Sequence, residues 1–137
     1  MKYFIDTNIF LRVAIIEDKK TFEECEKVLS AVKSGLIDAV TSSVVLAEMV
    51  WVLGKSYNEP KKKIVKLLKY TMNINGLGVV DDFDMTKALE LYEAYNVKFI
   101  DAMLASIPEI LSKKWTVISY DEDFKKLPVK WLTPGNL

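Results

Sequence analysis

Short apolar runs alternate with longer amphipathic stretches along this chain, which predicts strands followed by helices. Tyr3-Phe4-Ile5 reads as a short buried strand, continued by a helix from Thr7 to Ile16. From Thr21 to Ser34, residues Phe22, Cys25, Val28, Leu29 and Val32 fall at helical spacing, and Gly35 is a helix stop. Asp38-Ala39-Val40 forms a second short strand candidate. Ser42 or Ser43 can cap a helix from Val44 to Leu53. Pro60 opens another helix to about Met72, with Ile64, Leu67, Leu68 and Thr71 on one side.

Asn75-Gly76 is a turn signal ahead of a strand from Leu77 to Val80. Asp84 can cap a helix running to Tyr95. A helix from Ile100 to Leu111 meets Pro108, which kinks it or stops it early. Trp115 through Ile118 reads as a strand, Asp121 starts a short helical turn, and Val129 to Leu132 is a weak edge strand. The alternation predicts a parallel sheet with helices on both faces, an α/β domain. Sheets of this kind carry their sites beyond the carboxyl ends of the strands. Asp6 follows the first strand directly, and Asp121 comes just after the Val117-Ile118 strand.

Composition narrows the chemistry. The 137 residues suit one domain, and neither a linker nor a repeat interrupts them. Nineteen basic residues balance nineteen acidic ones, so binding to nucleic acid would rest on a local patch or on bound metal. The chain has no histidine, which removes Ser-His-Asp and Cys-His catalysis and Cys/His zinc sites. The single cysteine, Cys25, cannot form an internal disulfide and reads as a small buried residue of its helix. The opening Met-Lys-Tyr-Phe-Ile-Asp is too short and too soon charged for a signal peptide. No 18-residue apolar run is present, so the expectation is a cytoplasmic protein with no membrane partner.

Most charges sit in runs with other charges, as on solvated faces. Three do not. Asp6 lies between Tyr3-Phe4-Ile5 and Thr7-Asn8-Ile9-Phe10-Leu11. Glu48 is the only charge from Val44 to Leu53, in a helix apolar nearly all round. Asp101 is the only charge from Phe99 to Ala105. A buried, unpaired carboxylate costs roughly several kcal/mol or takes up a proton. No lysine or arginine stands out as the partner of all three. If the acids converge, they repel, and a hard divalent cation such as Mg²⁺ or Mn²⁺ is the simplest remedy. Such a site can activate water and stabilise a phosphoryl transition state without histidine. Caps are the alternative: Asp6, Asp101 and Asp121 can each cap a helix, and Glu48 can be neutral or paired with a lysine.

These features together resemble the PIN-domain ribonucleases, and most of all their VapC-type toxins. The residues that carry the resemblance are Ile5-Asp6-Thr7-Asn8 after the first strand and Glu48 in an apolar helix after Ser42-Ser43. They continue with Ile100-Asp101-Ala102 opening a helix and Ile118-Ser119-Tyr120-Asp121-Glu122-Asp123-Phe124 after a late strand. The resemblance spans residues 3 to 124. It implies a three-layer α/β/α fold over residues 1–137 and Mg²⁺ or Mn²⁺ held by Asp6, Glu48, Asp101 and Asp121. It also implies hydrolysis of RNA phosphodiester bonds, a homodimer and a small antitoxin protein as partner. Thr7 and Asn8 match polar positions that can hold a carboxylate or a water, and Asp123 is a supporting or substitute acid for Asp121. Two features depart from the family pattern: Pro108 interrupts the helix after Asp101, and Arg12 is the only arginine.

Other groups read more plainly. Lys61, Lys62, Lys63, Lys66 and Lys69 crowd one helix, as a solvated face or as a phosphate-tracking patch. Gly76-Leu77-Gly78 is a turn, and Asp81, Asp82 and Asp84 read as loop and cap. Trp51, Trp115 and Trp131 read as core or interface anchors. A housekeeping RNA-processing nuclease would use the same residues. A non-catalytic α/β interaction module would use the acids only as caps.

Overall fold

A computed structural model describes residues 2–137. Five parallel strands form one sheet in the order β3-β2-β1-β4-β5. The strands are β1 (Lys2–Ile5), β2 (Asp38–Thr41), β3 (Leu77–Val79), β4 (Trp115–Ile118) and β5 (Lys130–Leu132). Between β1 and β2 lie α1 (Thr7–Ala14) and α2 (Lys19–Lys33); between β2 and β3 lie α3 (Ser43–Lys55) and α4 (Lys61–Met72). Then come α5 (Met85–Ala94), α6 (Phe99–Ala105) and α7 (Pro108–Leu111) before β4. The turn α8 (Asp123–Lys126) joins β4 to β5, and a 3₁₀ turn (Pro134–Asn136) ends the chain.

The helices form two groups: α1 packs on α2 and α3, and α3 on α4; α6 packs on α5, α7 and α8. With the sheet between them they make the three-layer α/β/α architecture. The central strand β1 is covered on both faces, so Phe4 and Ile5 are both buried, as are their β4 partners Val117 and Ile118. Isoleucines, valines and leucines from α1, α2, α6 and α7 close the core around them. Among the described residues no helix is long and apolar enough to cross a membrane.

Several boundaries differ from expectation. Helix α1 ends at Ala14, and Ile16 is exposed, because Asp18 starts the next helix by accepting a hydrogen bond from Thr21 N–H at 2.9 Å. The helix predicted over Ile100–Leu111 is two: α6 stops at Ser106, and Pro108 begins α7, where its missing N–H costs nothing. Helix α3 buries only Val45, Met49 and Leu53, and leaves Val50 and Trp51 in solvent. An apolar sequence all round did not mean burial all round. Trp115 and Trp131 pack against the core, whereas Trp51 lies on the surface, 63% exposed.

The strand order makes β1 the switch point: the chain first moves to β2 on one side and later returns to β4 on the other. A crevice forms where the order reverses, beyond the carboxyl ends of β1 and β4. Ile5 pairs with Ile118 there, and Asp6 N–H donates to the Ile118 carbonyl at 3.1 Å.

Candidate metal centre

Asp6 leaves β1 with extended backbone and caps α1, its carboxylate accepting from Thr7 N–H at 2.8 Å. The cap reading of Asp6 therefore holds, and capping occupies only one of its oxygens. The other, Oδ2, accepts from the Ser119 hydroxyl at 2.6 Å and from Asn8 Nδ2 at 3.4 Å. Asn8 spans both strand ends: Nδ2 also donates to Ser119 Oγ at 3.0 Å, and Oδ1 accepts from Tyr120 N–H at 3.1 Å. Ser119 Oγ in turn accepts from Asp121 N–H at 2.9 Å. One hydroxyl thus aligns Asp6, Asn8 and the backbone of Asp121.

Glu48 reaches the crevice from the middle of α3 and is half-buried. Thr7 Oγ1 donates to Glu48 Oε1. Asp101 stands in the first turn of α6, so it is not the helix cap; Lys98 occupies that position, without a capping side chain. Asp101 is 2% exposed, and its Oδ2 is buried with no hydrogen-bond partner. Asp121 Oδ1 accepts from Asp123 N–H at 2.9 Å just ahead of α8, while its carboxylate also meets that of Asp101. Asp101, Asp121 and Asp123 each offer a carboxylate oxygen within 4.8 Å of the others. Asp123 is the more committed of the three, accepting from Lys98 N–H and from Lys126 Nζ, both at 3.2 Å.

The charges feel one another. Burial is the main force raising the Asp6 pKa to about 6; the hydrogen bonds from Ser119 and Thr7 oppose it, and the charges of Glu48 and Asp121 add to it. Burial, then the Asp121 charge, push Asp101 up to about 8, against the pull of Lys98. Asp121 moves the other way. Its burial is outweighed by hydrogen bonds from Lys98 and Asp123 N–H, which hold it below the usual carboxylate range. Without a cation the acids repel one another, and the buried Asp101 Oδ2 accepts no hydrogen bond and has only the Lys98 ammonium at 3.8 Å. A hard divalent ion supplies what that oxygen lacks, and a donor set made only of carboxylates suits Mg²⁺ or Mn²⁺. The residues present fit such an ion.

The sequence did not reveal two of the residues here. Lys98 Nζ lies 2.7 Å from Asp121 Oδ2 and 3.8 Å from Asp101 Oδ2. Partial burial works against its charge, but the hydrogen bond to Asp121 and the surrounding acids hold its pKa above the ordinary lysine value. A lysine does therefore serve part of the cluster, and the only sequence signal was its place three residues before Asp101. Ser119 was visible only as the first residue after the late strand.

Other candidates lie elsewhere. The lysines Lys61, Lys62, Lys63, Lys66 and Lys69 are all exposed along α4, and Lys63 is paired with Glu59 at 3.1 Å. Asp81 accepts from Ser43 N–H and Oγ, and Asp84 caps α5 through Lys87 N–H, as loop and cap residues do. Cys25 is fully buried, and burial pushes its thiol up to about 11; it donates weakly to Tyr120 Oη, whose own hydrogen goes to Glu24. It is unsuited to nucleophilic work.

The fold and this acidic crevice define a class, and comparison with known proteins gives the same class. The PIN-domain family matches residues 3–130, and the chain belongs to that family. Its fold is shared with the Rickettsia felis VapBC2 structure, bound to a DNA fragment from its promoter, at 20% identity and TM-score 0.70, covering 97% of this chain and 98% of that one. PAE2754 from Pyrobaculum aerophilum is similar at 14% identity and TM-score 0.68, over 99% and 91% of the two chains. Mycobacterium tuberculosis VapC20, a sarcin-ricin-loop-cleaving toxin, is similar at 15% identity and TM-score 0.62, over 93% and 98%. No curated protein sequence matches the chain.

Proposed function

We propose that this chain is a divalent-metal-dependent endoribonuclease, the toxin of a toxin–antitoxin pair, with residues 1–137 acting as one nuclease domain. The observation that carries the proposal is the buried Asp101 Oδ2, which accepts no hydrogen bond, inside a crevice of mutually coupled acids at the switch point of a PIN-domain sheet. Asp6, Glu48, Asp101 and Asp121 are the groups that hold Mg²⁺ or Mn²⁺. When bound, the ion supplies activation of water and neutralises charge developing on the phosphoryl oxygens. The protein's share is positioning. Ser119, Asn8 and Thr7 N–H fix the Asp6 carboxylate, the Thr7 hydroxyl fixes Glu48, the Asp123 carboxylate holds the Lys98 backbone N–H, and Asp123 N–H holds the Asp121 carboxylate. The exposed α4 lysines are the candidate contacts to RNA phosphates.

The family and the solved toxin structures support the toxin reading, with a small antitoxin as partner, and the exposed Val50 and Trp51 on α3 suit a homodimer contact. The absence of a long apolar helix among the described residues accords with a cytoplasmic site of action. Mn²⁺ titration calorimetry on the wild type and Asp6→Asn, beside cleavage of a generic RNA with and without EDTA, tests the core of the proposal. Equal Mn²⁺ binding by both proteins, or cleavage indifferent to EDTA, rejects it in favour of a non-catalytic module. Growth arrest on expression, relieved by co-expressing the neighbouring small reading frame, separates the toxin from a housekeeping nuclease.

A further inference from the structure

The acidic crevice carries its own counter-ion. Lys98 sits at the start of α6 with its backbone N–H tied to Asp123 Oδ2 at 3.2 Å, so its Cα is held beside the acids. Its side chain is 61% exposed, yet its ammonium turns inward to Asp121 Oδ2 at 2.7 Å and stands 3.8 Å from Asp101 Oδ2. Both carboxylates belong to the acid group that could hold a divalent ion, and the second oxygen is the buried atom with no hydrogen-bond partner. An ammonium and a divalent ion sharing these oxygens repel each other strongly at such range. The side chain can leave for solvent without unpacking the core, because it is already more than half exposed and, among the described residues, its Nζ ion pairs are with these two carboxylates.

We infer that Lys98 is an exchangeable counter-ion: it stabilises the metal-free crevice and must be displaced from Asp121 before a divalent cation fills the site. It thereby raises the cation concentration at which the site loads. The inference rests on the metal-site reading above and deepens it. Lys98 is a positioning residue for the acids.

Mn²⁺ titration calorimetry on the wild type, Lys98→Gln and Lys98→Arg, with thermal melts in EDTA, tests this. Lys98→Gln should bind Mn²⁺ about tenfold more tightly, from the loss of one nearby positive charge. It should also melt at lower temperature in EDTA, whereas Lys98→Arg stays close to wild type in both. In the unmodified protein, the ¹⁵Nζ resonance of Lys98 should move on adding Mg²⁺ as the ammonium leaves Asp121. Equal or weaker Mn²⁺ binding by Lys98→Gln, or a stationary Lys98 resonance while Mg²⁺ binds, overturns the inference and leaves the metal site standing. No binding by the wild type overturns both.

Discussion

Ser119 donates its hydroxyl hydrogen to Asp6 across 113 residues of sequence, at 2.6 Å, and accepts from Asn8 and Asp121 N–H with the same oxygen. This fully buried side chain joins the acids of β1 to those of β4. Ser119→Ala removes the donor to buried Asp6 and the acceptor of half-buried donors on Asn8 and Asp121, and should cost about 1–3 kcal/mol of stability. Urea denaturation in EDTA measures that loss. Mn²⁺ affinity should fall by about tenfold or more as Asp6 loses its hold. An unchanged affinity rejects the aligning role of Ser119.

Thr7 acts on Glu48 in the same manner from the other side of Asp6. Thr7→Val keeps the shape and removes the hydroxyl donor. Mn²⁺ affinity and RNA cleavage should both drop by about tenfold, and Thr7→Ser should recover most of each. Failure of serine to rescue means that the hydroxyl is not what holds Glu48.

The two raised carboxyl groups give the metal-free protein a definite pH response. Asp6 titrates at about 6 and Asp101 at about 8, both above the ordinary 3.8, so folding favours their neutral forms. That contribution is complete below about pH 4 and is lost as pH rises through 6 and then 8. In EDTA, the melting temperature of the wild type should therefore fall between about pH 5 and pH 8.5, by roughly 5 °C or more relative to Asp101→Asn, which lacks the second titration. Cation binding needs the ionised forms, so wild-type Mn²⁺ affinity should climb over the same interval. Parallel melting curves for the two proteins contradict the assignment of Asp101.

The lysine row on α4 is tested by salt. Lys62→Gln with Lys66→Gln should weaken binding to single-stranded RNA. It should also flatten the plot of log affinity against log salt by about 0.7 for each lost contact. If the slope does not change, the row is only a solvated face.

Much of this architecture was legible in the chain. Strand–helix alternation gave the parallel sheet, and Asp6, Glu48 and Asp101 stood out because apolar neighbours left them no solvated face. Pro108 marked where α6 and α7 part. What local pattern could not show was convergence. Lys98 looks like any surface lysine until the fold brings Asp121 to its ammonium, and Ser119 looks like a loop residue until Asp6 is set against it. The helix of Glu48 reads as apolar nearly all round, but Trp51 and Val50 show that one apolar face of α3 stays in solvent.

The pairing of β1 with β4 also sets a timetable for synthesis. Asp6 emerges from the ribosome 113 residues ahead of Ser119, and Asp121 follows Ser119. The acids that follow β1 and those that follow β4 are brought together by the pairing of Ile5 with Ile118. A nascent chain that has not yet formed β4 therefore carries no assembled crevice.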